Sequence, residues 1–133
     1  MKGDFKPRTL NFLKKNRFIV NFPESFNIPQ YQLRSVKIPQ IQLTNGWKIN
    51  YSNCEIIYGL TVNDDLVKTL MEVMEKMDSF DFNIELLDSV GVVVEKYSMV
   101  GLINRIEIDE LDNGADGNIS VKISLSINNF KAQ

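Results

Sequence analysis

Glu107, Asp109, Glu110 and Asp112 crowd one short stretch of the chain. Paired carboxylates do acid–base work when a shared pocket holds them, whereas on an exposed polar loop they are simply solvated. The adjoining DNGADG, residues 112–117, opens like a calcium loop, which needs an oxygen ligand at its third position and an acid at its twelfth. Those positions hold Gly114 and Ile123. Ile123 belongs to an alternating apolar run, so a solvated hairpin loop is the better reading. There is no histidine, which removes Ser-His and Cys-His nucleophile activation and His-containing metal sites. No Walker-type glycine loop, GxGxxG or CxxC is present. The single cysteine, Cys54, excludes an internal disulfide and fits a reducing compartment. In NCEIIYGL it shares a strand face with Ile56, Tyr58 and Leu60, which predicts a buried thiol rather than a nucleophile. No catalytic, cofactor-binding or metal-ligating residue is assigned, and the expectation is a protein that is not an enzyme.

Those residues must be carried by a chain of 133 residues, 44% hydrophobic, with a formal net charge of −2. This length suits one domain that buries its own core. The near-neutral charge argues against nucleic acid as the main partner. The average hides an asymmetry: residues 1–17 carry six basic groups and one acid, while the remainder carries nine basic and sixteen acidic groups. A basic arm on an acidic body suits self-association, and charge alone equally fits a solvated tail. No apolar run is long enough to span a membrane, and no apolar signal-peptide core follows the N-terminal charges, so a cytoplasmic product is expected.

Residues 1–16 read as an irregular basic arm, with one helical turn about Leu10 to Leu13, and 17–133 as a single β-domain. RFIVNF is a strand ended by Pro23. Two alternating apolar runs flank Pro39: Val36 and Ile38 before it, Ile41 and Leu43 after. Proline cannot donate to a ladder, so it marks a corner where the chain leaves one sheet for a projecting or edge hairpin. TNG, 44–46, signals a turn, and Trp47, Ile49 and Tyr51 alternate beyond it in a strand that would pair with 38–43. Residues 54–62 form the next strand. Leu66, Leu70, Val73, Met74 and Met77 then fall at helical spacing, predicting one helix over about 64–77, capped by Asn63 or Asp64. Its Met71, Met74 and Met77 are assigned to core packing. Strands follow over 80–86, 92–102 and 103–108, with a turn at 88–91; Val92, Val93 and Val94 suggest cover on both faces. A polar loop spans 109–118, and Ile119, Val121, Ile123, Leu125 and Ile127 share one face of a last strand. The predicted fold is mainly β, a β-sandwich or small antiparallel barrel, with the one helix packed on it.

Several of these stretches match a known pattern. NRFIVNFP (16–23), SVKIP (35–39), the tryptophan-bearing strand, the helix after NDD, FNIELLDSVGVVVEKYSMVGL (82–102) and the long alternating C-terminal strand stand in one order. Together they resemble the tail-tube proteins of contractile-tailed bacteriophages and related injection systems. SVKIP also resembles tube-like domains of baseplate proteins that initiate the tube, which are generally longer chains. The resemblance implies a structural virion protein that forms hexameric rings, stacked into a tube through which DNA passes only transiently. It implies tail sheath and baseplate proteins as further partners, assembly in the host bacterial cytoplasm, and no cofactor. A tube initiator and, in another class, a monomeric ligand-binding β-domain are the alternatives. The acidic body suits a channel wall along which DNA slides. Self-association needs arms, edges and hairpins. Subunit contacts are therefore expected at Lys14, Lys15 and Arg17 of the arm, and at Val36, Ile38, Pro39, Ile41, Leu43 and Trp47 around the proline corner. Asp88 and Gly91 of one turn, and Asp109, Glu110 and Asp112 of the acidic loop, complete the set.

Overall fold

Strict alternation in the C-terminal strand organises the molecule, which a computed structural model describes over residues 12–133. In β8 (Ser120–Ala132), Val121, Ile123, Leu125 and Ile127 are all buried, while Lys122, Ser126 and Asn128 lie outside that core. A strand with this period lays one face on a core and offers the other to solvent. β8 pairs antiparallel with β7 (Val93–Ile108) on one side and β5 (Cys54–Gly59) on the other. Outward from these lie β6 (Phe80–Leu87) then β1 (Phe18–Asn21), and β2 (Leu33–Lys37), giving the order β1-β6-β7-β8-β5-β2. This sheet curls into a half-barrel around Val20, Ile56, Tyr58, Ile84, Met99 and Leu125. One helix, α1 (Leu66–Glu75), adds Leu66, Leu70 and Val73 to the same core. Ten residues are too few for a stable isolated helix, so burial of that stripe, about 1.5–3 kcal/mol per large side chain, holds it in place.

The proline corner lies where the alternation placed it. β2 ends at Lys37, Pro39 is buried in the link, and the chain enters a separate two-stranded sheet of β3 (Ile41–Thr44) and β4 (Lys48–Tyr51). Pro39 belongs to neither ladder, so its missing N–H costs nothing.

Other expectations are corrected. Residues 92–102 and 103–108 are one continuous strand, because no turn residues separate them; bulges at Val100/Gly101 and Ile103/Arg105 bend it instead. Val92, Val93 and Val94 are not covered on both faces but lie substantially exposed at the start of that strand. Trp47 sits in the turn at φ 65°, outside the strand. The helix is shorter than 64–77, ending before Met77 at φ 56°. Its boundary residue is Asp65, whose side chain makes no cap bond; Asp64 supplies the expected cap instead, Oδ1 accepting from the first helical N–H, Leu66, at 3.2 Å while Oδ2 holds Thr61 of the preceding loop. Of the three methionines only Met74 packs against the core; Met71 on the helix and Met77 beyond its end are exposed. Ile119 precedes β8 and is exposed, so four residues rather than five make the buried face. Half of the helical turn expected about Leu10 to Leu13 falls outside the described residues, as do Lys2, Lys6 and Arg8 of the arm, and Phe12 and Leu13 are not helical.

Candidate functional site

The β3–β4 hairpin builds the first candidate surface. Ile41 stands opposite Tyr51 and Leu43 opposite Ile49. Directly opposed residues share a face, so these four side chains form one apolar side, with Gln42, Thr44, Lys48 and Asn50 on the other. The turn brings Gly46 and Trp47 into left-handed backbone, and Trp47 is left 85% exposed. A lone two-stranded hairpin is marginal in water, and this one is pinned at its base. Gln40 N–H donates to Ser52 Oγ at 2.7 Å, and Ser52 N–H returns a bond to the Gln40 carbonyl at 3.0 Å. Tyr51 stacks on Phe130 at 6.1 Å, and Phe130 on Tyr97 at 5.5 Å. Beyond that anchor Ile41, Leu43 and Ile49 remain 55%, 61% and 58% exposed. An exposed apolar face of this kind is a candidate contact surface.

The second surface lies between the outermost strands. β1 and β2 each pair on one side only, and a groove of about 920 Å³ runs between them. Phe18, Leu33, Val36, Ile38 and Leu86 supply its apolar lining, with Lys14, Lys15 and Arg34 also bordering it. Exposed strand edges invite stray pairing, and one is blocked here. The Gln30 side-chain amide accepts from Val20 N–H at 3.3 Å and donates to the Val20 carbonyl, standing in for a neighbouring strand.

The two ends of β7 carry the remaining predicted residues. At its start Arg17 Nη1 donates to the Ser89 carbonyl at 3.3 Å, and the Arg17 carbonyl accepts from Leu87 N–H at 3.0 Å. Asp88 Oδ1 accepts from Val90 and Val92 N–H at 3.0 and 2.9 Å, and Gly91 takes φ 90°. Asp88 and Gly91 thus shape the turn itself. At its finish, Asp109 Oδ2 accepts from Ser120 N–H at 2.7 Å and Asp112 Oδ1 from Gly114 N–H at 2.9 Å. Glu110, Leu111 and Asp116 of this loop point to solvent, Leu111 at 76% exposure.

The predicted residues therefore fall into four groups. Lys14, Lys15, Val36 and Ile38 meet at the groove; Pro39, Ile41, Leu43 and Trp47 lie on the hairpin and its base. Arg17 joins Asp88 and Gly91 at the β6–β7 turn, while Asp109, Glu110 and Asp112 stand at the far end of β7. Ile49, Gln30, Arg34 and Leu111 complete these surfaces without having been singled out. Hairpin register carries the signal for Ile49, since a turn at 45–47 sets it opposite Leu43; Gln30 and Arg34 join their partners only through tertiary structure.

Conventional chemistry finds no comparable assembly. Cys54 is fully buried, and burial, then the nearby Glu55, pushes its thiol up to about 12. Tyr58 is raised likewise by burial, then by Cys54. Asp64 is held below the usual carboxylate range, first by the Thr61 backbone N–H at 2.6 Å, and it also accepts from Gln32 Nε2 at 2.7 Å. It ties the loop before α1 to the β2 region. Ile123, at the twelfth position of the calcium-like segment, is wholly buried in the core. Among the described residues no cluster of three or more Cys, Asp or Glu is placed to hold a metal ion, and no helix is long and apolar enough to cross a membrane.

No protein-family model and no curated protein matches the chain. Solved structures do match. A chain of the anti-feeding prophage tube-terminating cap superposes with a TM-score of 0.72 at 12% identity, over 98% of this chain and 96% of that one. A chain of the sheath–tube complex of an extracellular contractile injection system, PVC, in its extended state gives 0.67 at 12%, over 91% and 90%. The SPP1 tail tube gives 0.58 at 11%, over 88% and 75%. The chain shares the fold of these tube and tail-tube structures.

Proposed function

We propose that this chain is a structural subunit of a phage-type tail tube, self-assembling into stacked hexameric rings around a channel for DNA passage. The observation that carries the reading is the exposed apolar face of the β3–β4 hairpin on a fold shared with tube components. Ile41, Leu43 and Ile49 have no cover within the described residues, and a second copy supplies it. In this reading residues 17–133 are the tube-like domain, and the basic arm, 1–16, ties neighbouring copies together. The subunit contacts are the four groups of residues described above. Tail sheath and baseplate proteins are the further partners, the role is structural rather than catalytic, and the assembled protein resides in the tail of a particle built in a bacterial cytoplasm.

The solvent face of the six-stranded sheet is the natural channel wall. Register puts Asn21, Asn83, Ser98 and Ser126 there, with Lys37 opposite Glu55, Lys96 opposite Glu85 and Lys122 opposite Glu107. Opposed charges of this kind leave little net field, which suits a polymer that must slide without sticking. The acids expected in the lumen are thus Glu55, Glu85 and Glu107, each with a base across the strand, and Asp81, which stands opposite Val100.

A second reading, a component that ends the tube, is favoured by the score against the cap chain, 0.72, exceeding that against the sheath–tube chain, 0.67. Sizing and negative-stain microscopy of the purified protein at rising concentration test the proposal. Long tubes support the subunit, and rings that never stack support the tube-end component. A persistent monomer refutes both and favours a monomeric ligand-binding domain using the β1–β2 groove.

A further inference from the structure

Charge and apolar surface are segregated to the two ends of β7, and the two ends complement each other. At its finish the 109–118 loop carries Leu111 as an exposed apolar knob between Glu110 and Asp112, with Asp116 close behind. Asp109 and Asp112 are spent on Ser120 and Gly114 N–H groups, which stiffens the loop and leaves Glu110 and Asp116 to face solvent. At its start, the segment before β1 is fastened to the β6–β7 turn through Arg17, and it brings Lys14 and Lys15 to the groove between β1 and β2. Arg34 borders the same groove from the β2 side, above a lining that includes Phe18, Val36 and Leu86. An apolar slot with basic borders fits an apolar knob with acidic neighbours.

We propose that the 109–118 loop of one copy seats in the β1–β2 groove of a second copy. Leu111 enters the apolar lining, and Glu110 and Asp116 meet Lys14, Lys15 and Arg34. The two surfaces are different, so the contact is heterologous: each copy offers one loop and one groove, and the association repeats in one direction. This assignment rests on the tube reading for why copies join at all, and it names the surfaces that join them. Screening by salt follows, because the charged groups sit at the exposed border of the contact.

Charge reversal on each side tests it. Lys14→Glu/Lys15→Glu and Glu110→Lys/Asp116→Lys, each alone, are expected to weaken self-association at least tenfold in sedimentation velocity, with thermal melts matching the parent chain. All four substitutions in one chain restore association. Mixing the two double variants restores extension with the two kinds of copy alternating, because each loop then meets a groove border of opposite charge, whereas neither variant extends alone. Tubes or rings formed normally by either double variant overturn this contact and leave the tube reading standing. If the parent chain forms no particles, the tube reading falls, and carbodiimide cross-linking of mixed ¹⁴N- and ¹⁵N-labelled protein decides the contact separately. Mixed-label peptides joining Lys14 or Lys15 to Glu110, Asp112 or Asp116 support it. Their absence overturns it.

Discussion

Replacing Leu43 and Ile49 together by threonine isolates what the hairpin does. Threonine keeps a β-branched strand former at both positions, so the local backbone preference survives. The two side chains oppose each other on the apolar face and are 61% and 58% exposed. Fully burying a Leu or Ile side chain gains about 1.5–3 kcal/mol, so covering the exposed fraction of each is worth about 1–2 kcal/mol. Losing both costs about 2–4 kcal/mol per contact, or roughly 30- to 700-fold in association constant. The folded monomer loses little, since exposed positions usually shift stability within about 0.5 kcal/mol. The assay pairs a circular-dichroism melt with sedimentation velocity over a concentration series. A matching melt with assembly shifted to concentrations at least tenfold higher supports the reasoning. Assembly within threefold of the parent chain, at an unchanged melt, refutes it and removes the hairpin face from the interface.

Gly101→Ala places a Cβ 2.9 Å from the Ser126 carbonyl oxygen, 3.0 Å from Ile127 Cδ1 and 3.1 Å from Phe82 Cε1. The carbonyl belongs to the paired strand and cannot step aside, so chemical denaturation should show a loss of about 1–3 kcal/mol. The Cys54 thiol, raised from about 9 to about 12 in the folded chain, ionises first in the unfolded one. Its contribution is therefore complete below pH 9 and declines as pH climbs toward 12, by up to about 1.4 kcal/mol per pH unit. Denaturant melts at stepped alkaline pH should show that slope, and Cys54→Ala should flatten it by one proton's worth, with Tyr58 supplying the remainder. Gln30→Ala strips the Val20 edge of its amide partner. Denaturation should register a loss of about 1 kcal/mol, and light scattering should register irregular aggregates.

Period-two alternation made most of this fold legible. Val121 to Ile127, Cys54 to Tyr58 and Phe80 to Ile84 each declare a strand and the face it buries, and Pro39 declares the corner. What alternation lacks is a way to register a bend made without a turn. Val100 to Arg105 contains two bulges and no loop-forming run, so one curved strand reads as two straight ones. Nor does apolar composition reveal what does the covering. Val92 to Val94 resemble a strand buried on both faces, and the chain by itself leaves them open. The same ambiguity runs through the candidate surfaces. Leu43 and Trp47 were legible as apolar hairpin residues, whereas Arg34 reaches the groove only because the sheet curls.

Edges and faces are treated differently in this molecule, and the difference bears on how copies choose one another. A bare strand edge pairs with almost any strand, because backbone groups carry no sequence information. Here the edge of β1 is occupied at Val20 by the Gln30 amide, and β2 carries Arg34 and Lys37. By contrast, the side-chain face of β3–β4 and the Leu111 knob are left open. Side-chain surfaces discriminate by shape, apolar area and charge, so only a complementary partner covers them. If the chain polymerises as proposed, it gains from blocking the indiscriminate surface while exposing the selective one. Gln30→Ala and Leu43→Thr/Ile49→Thr should then fail in opposite ways. The first should associate without order, because an indiscriminate edge has been opened; the second should stay soluble and unassembled, because a selective face has been erased.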